Sequence, residues 1–143
     1  MLQTFLGFAI VATLLMPRTP STGSVSQPAS GQIKTKTGLI YEVVVKGAGD
    51  VAKRGDTVRI HEALSLPDGK VIFDSRVKDQ TVKFVLGGNQ VIPGVDEGVT
   101  GMRVGERRKL LVPPSLDGRK FDPQFIPPDA IRHYDIELVE IVK

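Results

Sequence analysis

From residue 39 onward the side chains alternate between apolar and polar far more often than they follow a helical period. The run GLIYEVVVKGAGD gives a strand at 39–46 that ends in glycines. GDTVRIHEALSLPDGKVIFDS gives a strand from Thr57, a Pro67-Asp68-Gly69 turn and a second strand through Phe73. In TVKFVLGG, Val82, Phe84 and Leu86 share one face before paired glycines stop the run. RRKLLVPP and HYDIELVEIV supply two further strands. Alternation from Thr57 puts Val58, Ile60, Glu62 and Leu64 on one face, with Arg59 and His61 on the other. A carboxylate, Glu62, therefore points to the apolar side.

One segment breaks the period of two. Ile92, Val95, Val99 and Met102 recur at helical spacing and define a single apolar stripe. Pro93 suits the first turn, where its missing N–H would have had no partner anyway. Asp96 and Glu97 sit near the positive end of the helix dipole, and Gly101 is the stop. A lone short helix must lay its stripe on a sheet. The pattern predicts an α+β domain in which a curved, antiparallel, five-stranded sheet wraps one helix.

The first 36 residues read differently. Residues 2–16, LQTFLGFAIVATLLM, carry no charge and are mostly apolar. They are fewer than the ~20 that usually span a bilayer, and they read as an export signal core or an anchor. Residues 17–36 are rich in Pro, Ser, Thr and Gly and too poor in apolar surface to offset their ordering entropy, so they read as a linker. The folded domain is then 37–143. Cleavage of the leading segment would leave a protein outside the cytoplasm, and retention would tether it to a membrane facing away from the cytoplasm.

Composition narrows the chemistry. The chain has 143 residues, a net charge of +3 and no cysteine, which removes disulfides, thiol catalysis and iron–sulfur clusters. His61 and His133 lack the spacing of a metal site. Basic residues are interspersed with acidic ones, which argues against nucleic-acid binding. The densest group, Arg103, Arg107, Arg108 and Lys109, reads as the solvated side of a strand and turn.

In their order and spacing, KRGDTVRIH, LPDGKVIFDS, VKFVLGGNQVIPGVDEGVTGMRVGERRKLLVPP, FIPPDA and YDIELVEI resemble the FKBP-type peptidyl-prolyl cis/trans isomerases, the macrolide-binding immunophilins. The resemblance covers residues 37–143. It implies a substrate cleft between the sheet and the helix, with Phe73, Asp74 and Tyr134 in the catalytic positions. Val91, Ile92, Val95 and Ile126 would line the cleft, together with Glu62. The N–H of Ile92 would donate to a substrate carbonyl, and Asp74 would organise a polar edge with Arg76 or Lys78. Without the resemblance, Phe73, Val91, Ile92, Ile126 and Tyr134 are equally good core residues of any small sheet-on-helix domain.

The resemblance also implies proline-containing polypeptide substrates and a reaction that needs no nucleophile, metal or cofactor, and since the linker offers no apolar face to dock, the domain should fold as a monomer. Rotation about a planar X–Pro amide is slow because resonance must be lost on the way. Three departures from the family pattern matter. Glu62 stands where the family has tyrosine, Val95 where many members have tryptophan, and SLDGRKFDPQF where an aromatic-glycine YAYG pattern is common. Phe121 or Phe125 could refill part of that space. The expectation is an intact fold with weakened or altered activity in protein folding; the alternative is a catalytically silent module that binds peptide or protein in the same groove. For Glu62, the choice lies between a carboxylate satisfied by water or a basic neighbour such as Arg132 and a selector of basic clients.

Overall fold

The computed structural model describes residues 31–118 and 126–143. Among them, seven strands form one sheet: β1 Gln32–Lys34, β2 Ile40–Val45, β3 Thr57–Ser65, β4 Val71–Asp74, β5 Val82–Val85, β6 Arg107–Val112 and β7 Arg132–Val142. Their order is β1-β2-β6-β7-β3-β4, with β5 also on β3, and every pairing is antiparallel. One helix, α1 (Pro93–Val99), lies against β6.

The expected α+β class holds, but the sheet has seven strands rather than five. The six runs read as strands all form, as β2–β7, and two causes account for a count of seven against five. β4 and β5 divide one edge of β3 between them, with β5 pairing Thr57–Ile60 and β4 pairing Ala63–Ser65. The other cause is β1, which lies inside the 17–36 stretch read as linker and moves the start of the ordered domain ahead of residue 37. Its three residues are largely exposed and too few to show a period, so only pairing with β2 reveals it. Residues 2–16 and the linker up to residue 30 lie outside the described residues, as do Phe121 and Phe125.

The core forms where the sheet's inner face meets the helix. Val58, Ile60, Leu64, Leu110, Val112, Tyr134, Ile136 and Leu138 are buried from the sheet, and Ile92, Val95, Val99 and Met102 from the helix side. The helical stripe thus faces the core as its spacing predicts. Close approach needs small residues on the flank of α1. A side chain on Gly98 would collide with Leu110, and one on Gly94 would meet Val112. Gly94 and Gly98 therefore set how near the helix lies to β6.

Both ends of α1 are tied down. Near its start, the Asp96 carboxylate accepts the Gly87 N–H at 2.9 and 3.0 Å, anchoring the turn after β5. At its end, the buried Arg108 guanidinium donates to the carbonyls of Gly98 and Gly101 at 3.2 and 3.3 Å. The same guanidinium lies 4.7 Å from the centre of the Tyr41 ring and forms an ion pair with Glu106. A cation at a helix C-terminus is favourably placed. The solvated reading of the basic group is thus wrong for Arg108, which shares the inward side of β6 with Leu110 and Val112.

Candidate active site

Strand register sets out the floor of the inner face. Phe73 on β4, Leu64 on β3, Tyr134 on β7 and Leu110 on β6 stand opposite one another in one cross-strand row. The neighbouring row runs Glu62, Ile136, Arg108. Residues in register share a face, so Glu62 does lie on the apolar side, partly buried. Above these rows sit Ile92 and Val95 from the helix, with Ile126 from the segment before β7. All three belong to the same buried cluster as Tyr134. Val91 packs against that cluster from its margin.

Of the residues expected in the cleft, Ile92, Val95, Ile126 and Tyr134 converge in the buried cluster, and Phe73 and Asp74 stand apart from it. Phe73 is 44% exposed. An irregular step in the β3–β4 pairing passes over Ile72, and it is Ile72 that packs on the core. Phe73 is thus an exposed aromatic in register with buried Leu64, at the solvent edge of the inner face. The Asp74 carboxylate accepts the Arg76 N–H at 2.9 Å and so caps the 3-10 turn Ser75–Lys78. The Arg76 guanidinium turns to β7, 3.3 Å from Glu137 and 3.9 Å from Asp135. Asp74 thus engages the backbone of Arg76, while the side chain of Arg76 serves β7.

That turn has a second purpose. Buried Ser75 accepts the Glu62 N–H on its hydroxyl at 3.0 Å and lies 3.1 Å from His61 Nδ1. The chain Asp74–turn–Ser75 therefore holds β3 where Glu62 enters the inner face. Sequence reasoning missed Ser75, because a serine after a strand-end aspartate reads as an ordinary turn. Arg132 Nη1 meets Asp117 Oδ2 at 2.5 Å, both side chains almost fully buried. This pair ties the loop after β6 to the base of β7.

The Ile92 N–H occupies the N-cap position of α1, and among the described residues it donates to no backbone carbonyl. Helix starts leave such donors unspent, so this N–H can receive a ligand carbonyl. A depression of about 540 Å³ is lined in part by Ala63, Asp74, Lys109, His133 and Asp135. It takes in Asp74 and Tyr134 but none of Val91, Ile92, Val95 or Ile126, so the matched residues do not converge there.

The outer face carries the resolved charge perturbations. Arg107 grips Asp135 with two bonds of 2.7 and 2.6 Å, and the carboxylate raises the arginine's pKa. Burial pushes the Asp135 carboxyl up, but its bond to Arg107 and the charges of Arg107, Arg76 and Lys109 together outweigh this and hold it below the usual aspartate value. A carboxyl more acidic folded than unfolded stabilises the fold above the ordinary aspartate pKa, about 3.9. That contribution disappears as pH falls through the lower folded value. Asp135→Asn should therefore cost stability at pH 7, about 1 kcal/mol at most for so exposed a pair. As pH falls below the ordinary aspartate value and through the lower folded one, the difference in denaturation midpoint between the two proteins should shrink toward zero. An undiminished difference at low pH would assign the loss to packing.

An antiparallel sheet packed on one short helix, with Ile92, Val95, Ile126 and Tyr134 joined in one buried cluster between them, defines a small α+β domain. Comparison with known proteins sharpens that class. Residues 49–139 match the model of the FKBP-type peptidyl-prolyl cis-trans isomerase family. FK506-binding protein 2 of Yarrowia lipolytica is 39% identical over 109 residues, 76% of each chain. Peptidyl-prolyl cis-trans isomerase FPR2 of Saccharomyces cerevisiae is 41% identical over 106 residues, 73% of this chain and 78% of its own. The crystal structure of FkpA from Escherichia coli aligns with a TM-score of 0.70 at 34% identity, over 80% of this chain and 53% of the FkpA chain. The chain belongs to the FKBP-type peptidyl-prolyl cis-trans isomerases.

Proposed function

We propose that this isomerase acts on X–Pro bonds of polypeptides in the cleft between α1 and the inner face of the sheet. Ile92, Val91, Val95 and Ile126 line that cleft, Tyr134 forms its floor, and Phe73 and Glu62 form its rim. The observation that supports this reading best is the convergence of Ile92, Val95, Ile126 and Tyr134, distant in sequence, into one buried cluster. The planar amide is more charge-separated than the twisted transition state. An apolar cleft disfavours the planar form relative to the twisted one, and a fixed N–H on the substrate carbonyl holds the chain in place during rotation. Asp74 is a positioning residue in this scheme: it fixes the turn that carries Ser75 and, through it, Glu62.

Turnover is lower than in a cleft walled by aromatic rings, because Glu62 and Val95 replace rigid apolar area with a carboxylate and a small side chain. The same substitutions favour a second reading, a module that holds extended chains without turning them over. A protease-free isomerisation assay on an X–Pro peptide separates the two. Acceleration above the spontaneous rate supports the enzyme, whereas peptide binding without acceleration supports the module.

The uncharged apolar composition of residues 2–16 supports export or membrane tethering, and in this reading the protein works there as a monomer on folding polypeptides. Recovery of full-length, soluble protein from the cytoplasmic fraction would reject both forms.

A further inference from the structure

Asp117 lies in SLDG, the stretch that stands where the family pattern has an aromatic-glycine run. Its carboxylate pairs with the Arg132 guanidinium, and the two side chains are 2% and 4% exposed. Arg132 belongs to the inner face. On β7 it alternates with buried Tyr134, Ile136 and Leu138, and it stands opposite Val112 on β6. A side chain on Gly94 would meet that same Val112, so the Arg132 row passes beneath the start of α1. The neighbours of Asp117 reach the helix start as well. The Leu116 carbonyl lies 3.4 Å from the position a Gly94 Cβ would take, and Gly118 lies beside Pro93. Arg132 Nη1 is also 3.5 Å from the Ala130 carbonyl, and the Ala130 N–H donates to the Pro127 carbonyl at 3.1 Å, next to buried Ile126. The pair therefore joins three pieces: the loop on Pro93 and Gly94, the turn after Ile126, and the strand that carries Tyr134.

Two buried charges offset little beyond their own desolvation, and a well-packed apolar pair often holds a fold as firmly. An apolar pair, however, tolerates many relative placements, whereas a planar guanidinium and a carboxylate satisfy each other in few. The pair is therefore better suited to fixing geometry than to adding stability. We propose that Asp117 and Arg132 are positioning residues for isomerisation. Their pair fixes the start of α1 and Ile126 relative to Tyr134, so that the Ile92 N–H and the apolar walls engage the X–Pro segment together. This rests on the reading of the cleft as the X–Pro site. Small misplacements of groups that hold a substrate reduce rate steeply even where the fold is intact.

The test replaces both partners in the full-length protein, Asp117→Leu with Arg132→Met. The urea midpoint should stay close to the wild-type value. On an X–Pro peptide, kcat/KM should nevertheless fall about tenfold, mostly through KM, because substrate must now order the walls it binds. Ile141→Ala, at the opposite end of β7 and facing Val58, is the control: it should lower the midpoint and leave KM unchanged. A folded double variant within about twofold of wild-type kcat/KM overturns the positioning role, and so does a loss no larger than that of Ile141→Ala. If the double variant does not fold, Arg132→Lys decides, since it keeps the charge opposite Asp117 but not the planar fork. It should raise KM about threefold, and a wild-type KM overturns the role. Ile126→Ala separates this inference from the reading beneath it. If it lowers kcat/KM while the pair variants do not, the cleft stands and the positioning role falls. If Ile126→Ala also keeps the wild-type kcat/KM, the cleft reading itself has failed, and absence of turnover in the wild type would reject both.

Discussion

Arg108→Ala should lower the unfolding free energy by about 3 kcal/mol, the lower end of the cost of breaking a buried ion pair. Arg108 is buried and holds the last turn of α1 through two carbonyls, while its charge answers Glu106, itself 6% exposed. Truncation strands that carboxylate and frees the helix end in one step. The loss stays at the low end because Glu106 still accepts the Arg103 N–H at 2.9 Å. Urea midpoints of full-length wild type, Arg108→Ala and Lys109→Ala provide the comparison. Lys109 is the next residue but lies exposed on the outer face, where substitutions change stability by about 0.5 kcal/mol or less. Equal costs for the two would reject the clamp. Replacing both partners with apolar side chains, Glu106→Leu with Arg108→Met, should recover much of the loss, since a buried pair offsets little beyond its own desolvation.

Arg108 also shows where sequence reading succeeds and fails. Alternation placed Glu62 correctly, because β3 is long and its neighbours Val58, Ile60 and Leu64 are plainly apolar. The same rule applied to RRKLLVPP puts Arg108 beside Leu110 and Val112, yet a run of basic residues reads as solvated when charge is weighed above parity. The helix stripe was legible in full, since four apolar positions at helical spacing have no other economical burial. β1 was not legible, because its pairing energy comes from the backbone of β2 and leaves no mark on its side chains. Within the site, the buried positions followed from family motifs aligned to the chain. The Asp74–Ser75–Glu62 linkage did not, because a turn's hydrogen bonds depend on dihedral angles that residue types only bias. The backbone contact of Asp74 likewise could not be chosen over Arg76 or Lys78 side chains without coordinates.

Glu62→Tyr combined with Val95→Trp should raise X–Pro isomerase activity above wild type by about tenfold, on the order of one aromatic contact made jointly by the two rings, roughly 0.5–1.5 kcal/mol. Position 62 lies on the inner face in the row beside Tyr134, so a tyrosine there extends an aromatic floor already begun. Position 95 is 2% exposed, and a tryptophan there overpacks a closed site, costing about 1–3 kcal/mol of stability. Gain in turnover and loss in stability are therefore expected together, and the assay must be run well below the melting range of the variant. Each single change should give less than its share of the double, because both walls bound one cavity and a ring without its opposite wall grips little. Macrolide affinity should rise in the same order, since a rigid apolar floor serves a ring-shaped ligand as it serves a twisted amide. A folded double variant with wild-type turnover and wild-type macrolide affinity would mean that these two positions do not limit the cleft. The shortfall would then have to arise elsewhere in its walls.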